Sequence, residues 1–244
     1  MLAIFSNNYL TRHPIESSVK EFAKNFSTDM KVLDIGCGEK PYVKYFKCKY
    51  VGLDSCSETK AEIIANSWEI PCRDNEFDGV IINQALEHIA ETKETISEIR
   101  RVLRPGGLCL LTAPQTMLIH SIPVSSDKTN LYNFDKKKIP FWNEDYHRFT
   151  RYGLIHLFRD FQVIDIRPNT YFFGTIFQLF NYFFAAFGAG IIFSPIYFIN
   201  NCLGLFTDNL TLLISRIPIS FFKKFRWFIL ESLPIDNIAI FKKI

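Results

Sequence analysis

The sequence lacks the cysteine spacing of a metal centre or of a disulfide framework. No two of its six cysteines form a C-x-x-C pair; they are Cys37, Cys48, Cys56, Cys72, Cys109 and Cys202. Neither structural zinc nor a disulfide-stapled secreted domain is therefore indicated, and no bound metal is expected. The segment from Met1 to Arg12 also lacks a long apolar core behind a basic start, so no secretory signal is predicted. We expect a cytoplasmic protein with reduced thiols.

A strong net charge is absent as well. The formal net charge of +3 is too small to indicate a nucleic-acid partner, and none is expected. Residues 1–167 carry 22 basic and 22 acidic side chains, whereas residues 168–244 carry 6 and 3. Charge is missing altogether from Pro168 to Thr207, a stretch rich in Phe, Tyr and Ile. An apolar segment combined with a basic surplus is typical of a contact with a membrane surface.

What the sequence does contain is an alternation of apolar strands and amphipathic helices. Helices are predicted at 14–26, 91–103 and 150–161, and strands at 31–36, 49–54, 62–65, 77–83, 108–113, 162–167 and 237–242. This alternation predicts an α/β fold with a doubly wound sheet, whose ligands bind at the carboxyl ends of the strands. The predicted domains are a core at 1–167, an apolar and basic helical extension at 168–234, and the last core strand at 235–244.

Two neighbouring strands end in residues that suit a ligand with a ribose. The first reads V-L-D-I-G-C-G at 32–38, and the second reads Y-V-G-L-D at 50–54. A dinucleotide fingerprint requires G-x-G-x-x-G, because the third glycine lets the helix pack closely. Pro41 stands at that third position, and no G-K-[ST] of a phosphate-binding loop follows. The ligand is therefore expected to carry a ribose but no phosphate.

Five stretches of the chain resemble class I S-adenosylmethionine-dependent methyltransferases of the type-eleven family. They are V-L-D-I-G-C-G at 32–38, Y-V-G-L-D at 50–54, I-P-C-R-D-N-E-F-D at 70–78, I-N-Q-A-L-E-H-I at 82–89 and R-R-V-L-R-P-G-G at 100–107. The resemblance implies S-adenosylmethionine as the cofactor. It also implies a Rossmann-like seven-stranded sheet in the order 3-2-1-4-5-7-6, with strand 7 antiparallel and an apolar helical insertion before it. The sequence departs from the family at Lys40, which replaces the usual third glycine of the first loop.

The resemblance further implies roles for single residues in cofactor binding. Gly36 and Gly38, with Cys37 between them, would let the backbone approach the methionine part of the cofactor. Asp34 would orient the cofactor ammonium group through the loop, and Asp54 would hold the ribose hydroxyls. The other implied positions are Asn66, Ser67, Asn83 and Gln84. Ordinary loop polarity is the alternative explanation for Asn66 and Gln84.

Three of the five histidines are candidates for the proton acceptor, because histidine titrates near neutral pH. His88 follows the fourth strand, His120 follows the fifth, and His147 precedes the third predicted helix. For His88, a role in shaping the cofactor pocket is the alternative.

A second resemblance is to a subgroup of these methyltransferases that is often encoded with polysaccharide biosynthesis genes. The matching residues are Pro114, His120, Asp145, Tyr146, Arg148, Phe149, Thr150, Tyr152, Gly153 and Leu154. We assign Tyr146 and Arg148 to acceptor binding, although Arg148 is equally suited to pair with Asp145. Thr150 is also a predicted helix N-cap. An insertion at 121–144 separates the two halves of the motif and is interpreted either as an acceptor lid or as a solvated loop.

The apolar stretch 168–207 predicts a membrane-bound helical hairpin. The strands before and after it belong to one sheet, so the chain crosses a bilayer an even number of times or not at all. Gly188-Ala189-Gly190 divides the stretch into arms of about seventeen residues, each roughly 26 Å long at ~1.5 Å per residue. Such arms are short of a ~30 Å bilayer core. An interface-bound or re-entrant hairpin is therefore predicted, with a helical cap or a dimer interface as the alternatives.

Together these patterns predict an S-adenosylmethionine-dependent methyltransferase, peripheral or monotopic on the inner face of a membrane. The expected acceptor is a small molecule or a lipid-linked saccharide, methylated on a hydroxyl. One alternative is methylation of a quinone or lipid ring, and another is a non-catalytic module that only binds the cofactor. The patterns do not determine the oligomeric state.

Overall fold

The computed structural model describes residues 4–117, 145–186, 192–215, 228–230 and 233–244. The predicted catalytic His120 and the predicted insertion at 121–144 lie outside these residues.

A seven-stranded sheet forms the centre of the fold. Its strands are β1 (Lys31–Ile35), β2 (Lys49–Asp54), β3 (Ile63–Ile64), β4 (Phe77–Asn83), β5 (Leu103–Pro114), β6 (Phe161–Pro168) and β7 (Asp236–Lys243). They are ordered β3-β2-β1-β4-β5-β7-β6. β7 is antiparallel to β5 and β6, and the other pairs are parallel. The predicted fold class, strand order and direction of strand 7 are confirmed.

Helices cover both faces of this sheet. They are α1 (Tyr9–Ala23), α2 (Thr92–Val102), α3 (Arg151–Leu157), α4 (Phe172–Ala185) and α5 (Ser194–Ser215). On one face, Val19 and Phe22 of α1 belong to an apolar cluster with Val32 of β1. Leu33 points to the opposite face, since side chains alternate along a strand, and it lies in the cluster that includes Ile99 of α2. The central strands are apolar because they are buried on both sides.

Two elements, α1 and β5, begin well before their predicted starts. α1 begins at Tyr9 and contains Pro14, whereas the prediction placed the helix start at that proline, where prolines are usually found. β5 begins at Leu103, directly after α2, so the predicted helix stop at 104–107 lies within the strand. Gly106 has a φ of +77°, and the pairing with β4 shifts register between Phe77 and Gly79. An irregular strand start thus accommodates the Arg-Pro-Gly-Gly sequence.

The helical insertion predicted before the last strand consists of α4 and α5, which pack against each other and against α1. Asn169, just after β6, donates from Nδ2 to Oδ2 of Asp236 at the start of β7, at 2.6 Å. The inserted segment therefore leaves and re-enters the sheet at one place. Among the described residues, no helix has both the length and the apolar character needed to cross a membrane.

Candidate cofactor and acceptor site

Two adjoining cavities lie at the carboxyl ends of β1, β2 and β4. The smaller has a volume of about 310 Å³ and extends towards Asp54 and Trp68. The larger has a volume of about 1020 Å³ and extends towards α1 and α4. Both are lined by Gly36, Gly38 and Gln84. The glycine loop and the end of β4 therefore separate a space beyond β2 from a space in front of the helices.

Gly36 and Gly38 each require glycine for a different structural reason. Gly36 has a φ of +70°, and a Cβ atom there would lie 2.6 Å from the Cβ of Ala85. Gly38 has a φ of +49°, but a Cβ atom there would meet nothing within 4 Å. Gly36 thus allows the close approach of two loops, and Gly38 exposes its backbone to the cavities. An open glycine backbone of this kind fits the methionine part of the implied cofactor.

Lys40 adopts the left-handed conformation of the glycine that it replaces. Its φ is +53°, a conformation that costs a non-glycine residue about 1–2 kcal/mol. Its Nζ donates to Oε1 of Glu62 at 2.5 Å and lies 5.5 Å from the centre of the Tyr50 ring. These contacts hold the lysine side chain, so the loop keeps its shape without the third glycine.

Asp54, to which the resemblance assigns the ribose hydroxyls, and Ser67 are both held by hydrogen bonds within the fold. The carboxylate of Asp54 accepts the backbone N–H groups of Gly38 and Cys56, each at 3.0 Å, so its orientation is fixed by the loop itself. The buried Ser67 shares a 3.0 Å hydrogen bond with Thr95. Both residues line the smaller cavity, whereas Asn66 is not among the described residues lining either cavity.

Asp34 lies beneath the glycine loop and lines the larger cavity. Burial raises the pKa of its carboxyl to about 7, although a hydrogen bond from Tyr50 and the charge of Lys40 act in the opposite direction. The Tyr50 hydroxyl donates to Oδ2 at 2.5 Å. A cationic ammonium group nearby would stabilise the ionised carboxylate. Burial also raises the pKa of the Cys37 thiol to about 12, so this cysteine is not a nucleophile.

The residues at the end of β4 lie between the two cavities: Gln84 lines both, and Asn83 lines the larger one. Asn83 donates from Nδ2 to the Tyr42 hydroxyl at 3.0 Å, and its Oδ1 accepts from the hydroxyl of Thr112. Gln84 has a φ of +51°, and its N–H donates to the Thr112 carbonyl at 3.0 Å. Strained backbone of this kind is concentrated at functional sites. These contacts fix both amides against the sheet.

Two of the predicted catalytic histidines, His88 and His147, fall in the part of the chain that the structure describes, and neither is among the described residues that line the larger cavity. His88 lines the smaller cavity, and its Nε2 lies 3.9 Å from Oε1 of Glu87. His147 packs between Tyr146 and Phe149, and its Nε2 is buried without a hydrogen-bond partner among the described residues. The position of His88 fits a role in shaping the cofactor pocket. A catalytic role for these histidines stays a prediction.

The two residues assigned to acceptor binding lie on the segment before α3. Arg148 binds both carboxylate oxygens of Asp145, with a distance of 2.7 Å between Nη2 and Oδ2. Its Nε donates to the Met117 carbonyl at 3.0 Å. The structure thus contains the ion pair that was the alternative for Arg148. Tyr146 is exposed, and acceptor binding by either residue stays a prediction. Thr150 accepts from the Gly153 N–H at 3.1 Å, which confirms the predicted N-cap.

A carboxyl group that sequence reasoning passed over lines the larger cavity. The side chain of Glu87 is 1% exposed, and its Oε2 has no hydrogen-bond partner among the described residues. Burial raises its pKa to about 8, the charges of Asp236 and Asp145 add to the effect, and Arg148 opposes it. The sequence did contain a signal for this residue: Glu87 is an acid next to His88 and lies shortly after an apolar strand, where ligand-binding residues are expected.

Sequence reasoning also missed the front wall of the larger cavity. Its described residues from α1, the turn before it and α4 include Asn7, Asn8, Thr11, Arg12, Tyr182 and Ala186. Thr11 shares a 2.9 Å hydrogen bond with the hydroxyl of Tyr182. No local pattern links two residues this far apart in the sequence, so the contact could not be predicted.

Three buried carboxyls at the site predict that stability falls as the pH rises. Burial raises the pKa of Asp34 and Asp236 to about 7 and that of Glu87 to about 8. Since these values lie above those of the unfolded chain, the folded state holds more protons between about pH 4 and 8. We expect the free energy of unfolding in urea to be lower at about pH 8.5 than at about pH 5.5, by on the order of 1 kcal/mol per carboxyl. Stability that stays constant or increases over this range would contradict the assignment.

The comparisons with known proteins agree with this geometry. Residues 33–111 match the family model described as a methyltransferase domain. A probable S-adenosylmethionine-dependent methyltransferase of Mycolicibacterium smegmatis is 33% identical over 96 residues, which are 34% of this chain and 37% of the relative. A demethylmenaquinone methyltransferase of Symbiobacterium thermophilum is 45% identical over 49 residues, 19% of this chain and 20% of the relative. The chain thus spans well under two thirds of these curated relatives.

The fold is shared with a solved S-adenosylmethionine-dependent methyltransferase from Archaeoglobus fulgidus. The TM-score is 0.54 at 15% identity, over 96% of this chain and 95% of the other. The family model covers the glycine loop, Asp54 and the end of β4, the same elements that form the two cavities. Residues 33–111 are therefore similar to a methyltransferase domain, and the whole chain shares its fold with a solved S-adenosylmethionine-dependent methyltransferase, so the glycine loop and its cavities indicate S-adenosylmethionine as the cofactor.

Proposed function

We propose that the protein transfers a methyl group from S-adenosylmethionine to a hydroxyl of an amphiphilic acceptor, a glycan or a lipid-linked saccharide, at the inner face of a membrane. The observation that carries this proposal is the larger cavity. Its volume of about 1020 Å³ is at the upper end of the range for small-molecule sites. It extends from the glycine loop to α1 and α4, so it has room for an acceptor beside the methionine part of the cofactor.

The lining of this cavity supports a polar acceptor group. The wall opposite the glycine loop includes Asn7, Asn8, Arg12 and Tyr182, and the Tyr42 hydroxyl lies on the side of the loop. Such groups form hydrogen bonds with a saccharide, which carries donors and acceptors around its ring. Arg12 is exposed, and its cation suits a phosphate that links a saccharide to a lipid.

The chemistry divides between the cofactor and the chain. S-adenosylmethionine supplies an electrophilic methyl group on a sulfonium, and the protein aligns the acceptor, excludes water and removes the hydroxyl proton. Asp54 and the glycine loop hold the cofactor, and α1 and α4 close the front of the cavity. Glu87 is the described carboxylate best placed to take the proton, because it lines the cavity, is buried and has a free oxygen.

Methylation of a quinone ring is the second candidate function. The match to a demethylmenaquinone methyltransferase, 45% identical over 49 residues, favours it. Both candidates require an acceptor from a membrane, but a quinone ring forms few hydrogen bonds with amides and guanidinium groups. The polar front wall of the cavity therefore favours the saccharide.

The proposed function is tested with S-adenosylmethionine that carries tritium in its methyl group. The purified protein is incubated with the total lipid extract of its source organism, including lipid-linked saccharides. We expect label in the glycolipid fraction as a methyl ether, an equal amount of S-adenosylhomocysteine, and loss of both in Asp54→Ala. Label in the quinone fraction would favour the second candidate. Cofactor binding without any S-adenosylhomocysteine would indicate a non-catalytic module.

A further inference from the structure

The helical hairpin of α4 and α5 has its polarity inverted relative to a helix pair of a water-soluble protein. Its inner face, against α1 and between the two helices, is mostly small and polar, with Tyr197 as a buried aromatic residue; the other members are Gly174, Thr175, Gln178, Asn181, Asn201, Gly204 and Thr211. Its outer face includes the exposed Phe173, Phe180, Phe183, Ile199, Leu203, Phe206, Leu210 and Leu213. Amphipathic helices of soluble domains do the opposite and bury the apolar stripe.

Three amide side chains of the inner face donate hydrogen bonds within the protein, although Oε1 of Gln178 has no partner among the described residues. Asn181 and Asn201, both 0% exposed, are joined by a hydrogen bond of 2.8 Å. Asn201 also donates to the backbone carbonyls of Ile4 and Ser6, at 2.6 and 2.9 Å. Gln178 donates to the Asn7 carbonyl at 2.5 Å. The hairpin is thus attached to the rest of the fold through its amides, and several of its phenylalanine side chains are left exposed.

The hairpin itself is held together by a close contact at the start of α4. Asp208 of α5 accepts the N–H groups of Tyr171 and Gly174, at 3.2 and 3.1 Å. A Cβ atom at Gly174 would lie 2.2 Å from Oδ2 of Asp208, so only glycine permits this approach. A carboxylate stabilises a helix N-terminus. This contact therefore fixes α5 against the first turn of α4.

We propose that the outer face of the hairpin inserts into the interfacial zone of an anionic lipid bilayer and holds the mouth of the larger cavity at the membrane surface. This inference rests on the proposed function for its choice of acceptor. Phe180 and Phe183 are 52% and 58% exposed, and Phe206 is 65% exposed. A contiguous apolar surface of this kind marks a contact with a protein or a membrane. Aromatic side chains on an in-plane helix are typical of membrane contacts.

The distribution of charge in the sequence favours an anionic bilayer as the partner of the outer face. No charged residue occurs from Pro168 to Thr207, and the sequence that follows α5 carries Arg216, Lys223, Lys224 and Arg226 among aromatic residues. Cations that follow an apolar helix in the sequence can bind anionic headgroups when that helix lies at a membrane surface, each with about 1 kcal/mol. The hydrogen bond between Asn169 and Asp236 joins the two ends of the inserted segment. Because both ends lie at one place on the sheet, the hairpin can contact a bilayer without the sheet crossing it.

The position of the cavity connects this surface to catalysis. Tyr182 of α4 and Ala186, the residue that follows the helix, line the larger cavity, and Phe183 lies between them in sequence on the outer face. The mouth of the cavity is therefore within about one helix diameter, ~10 Å, of the inserted surface. An acceptor with its lipid tail in the bilayer could reach the cavity without leaving the membrane.

Flotation of the full chain with vesicles tests the proposal. The vesicles contain three parts phosphatidylcholine and one part phosphatidylglycerol. We expect the wild type to float, and the vesicle partition coefficient to fall about tenfold for each of the substitutions Phe180→Ser and Phe183→Ser. Tyr152→Ser, at an exposed aromatic residue of α3, is the matched control and should float like the wild type. Failure of the wild type to float, or an equal loss in the control, would overturn the proposal.

Three further readouts separate the competing explanations. With brominated lipids, fluorescence quenching should increase in Phe206→Trp but not in Tyr152→Trp; no increase in Phe206→Trp would overturn insertion. A wild-type dimer that does not float and that Phe183→Ser converts to monomers would assign the surface to a second copy. Calorimetry with S-adenosylmethionine on the same samples is independent of flotation. Intact cofactor binding without flotation would overturn this inference alone, and loss of cofactor binding would instead overturn the proposed function.

Discussion

Gly36→Ala is expected to reduce the affinity for S-adenosylmethionine by at least about 100-fold. The added methyl group would lie 2.6 Å from the Cβ of Ala85, and the backbone has a φ of +70°. The left-handed conformation costs an alanine about 1–2 kcal/mol, and overpacking of a tight contact costs about 1–3 kcal/mol. The loop must shift to relieve both, and it forms a wall of both cavities. Isothermal titration calorimetry measures the loss.

Two further variants distinguish a local effect at the loop from general unfolding. Gly153→Ala adds a methyl group in α3 at an ordinary contact distance of 3.4 Å from the Thr150 hydroxyl. It should keep cofactor affinity and stabilise the helix by about 0.5–1 kcal/mol. Ala85→Gly in the Gly36→Ala background removes the clashing atom and should restore part of the affinity. Wild-type affinity in Gly36→Ala would show that the loop does not contact the cofactor.

Glu87→Gln is expected to lower the rate of methyl transfer by about 10²- to 10⁴-fold, the usual contribution of a general base. The amide has the same shape as the carboxyl but cannot accept the hydroxyl proton. Because the pKa of Glu87 is raised to about 8, the wild-type rate should increase with pH up to about 8 and then level off. The variant should lose this dependence. Radiometric transfer to the lipid extract over a range of pH provides the measurement.

Two controls accompany this prediction: the cofactor affinity of Glu87→Gln and the activity of variants in which a histidine is replaced. Glu87→Gln should keep the affinity for S-adenosylmethionine, since Glu87 is not among the described residues lining the smaller cavity. His156→Gln changes a histidine on α3 that lines neither cavity and should keep full activity. If His120→Gln or His147→Gln abolishes transfer while Glu87→Gln does not, the histidine prediction is right and Glu87 is not the base.

The sheet could be predicted because its signals are local. The first two buried strands are apolar runs that end next to Gly36 and at Asp54, and the resemblance to known sequences then determines the strand order. The predicted start of α1 is too late because a proline usually stands at the first helical position. Tertiary packing instead supports a helix that begins at Tyr9 and contains Pro14. The start of β5 was missed because an Arg-Pro-Gly-Gly sequence usually ends an element, and here a positive φ at Gly106 lets the strand continue.

The cofactor half of the site was predictable, whereas the acceptor half was not. Asp54, Gly36 and Gly38 lie directly after strands, so their positions follow from the sheet alone. The front wall depends on contacts between α1 and α4, such as the one between Thr11 and Tyr182, which lie at opposite ends of the chain. The importance of Glu87 depends on its burial and on the nearby charges of Asp145 and Asp236. Such properties arise only when distant segments pack together.

The hydrogen bonds from Gln178 and Asn201 to the carbonyls of Ile4, Ser6 and Asn7 constrain the order of events during synthesis. Residues 4–7 are synthesised before α4 and α5, so these hydrogen bonds cannot form until the two helices have been made, 171 to 197 residues later. Until then the front of the larger cavity stays open, while the glycine loop and Asp54 can already be in place. The nascent chain would thus form the smaller cavity before the larger one is closed.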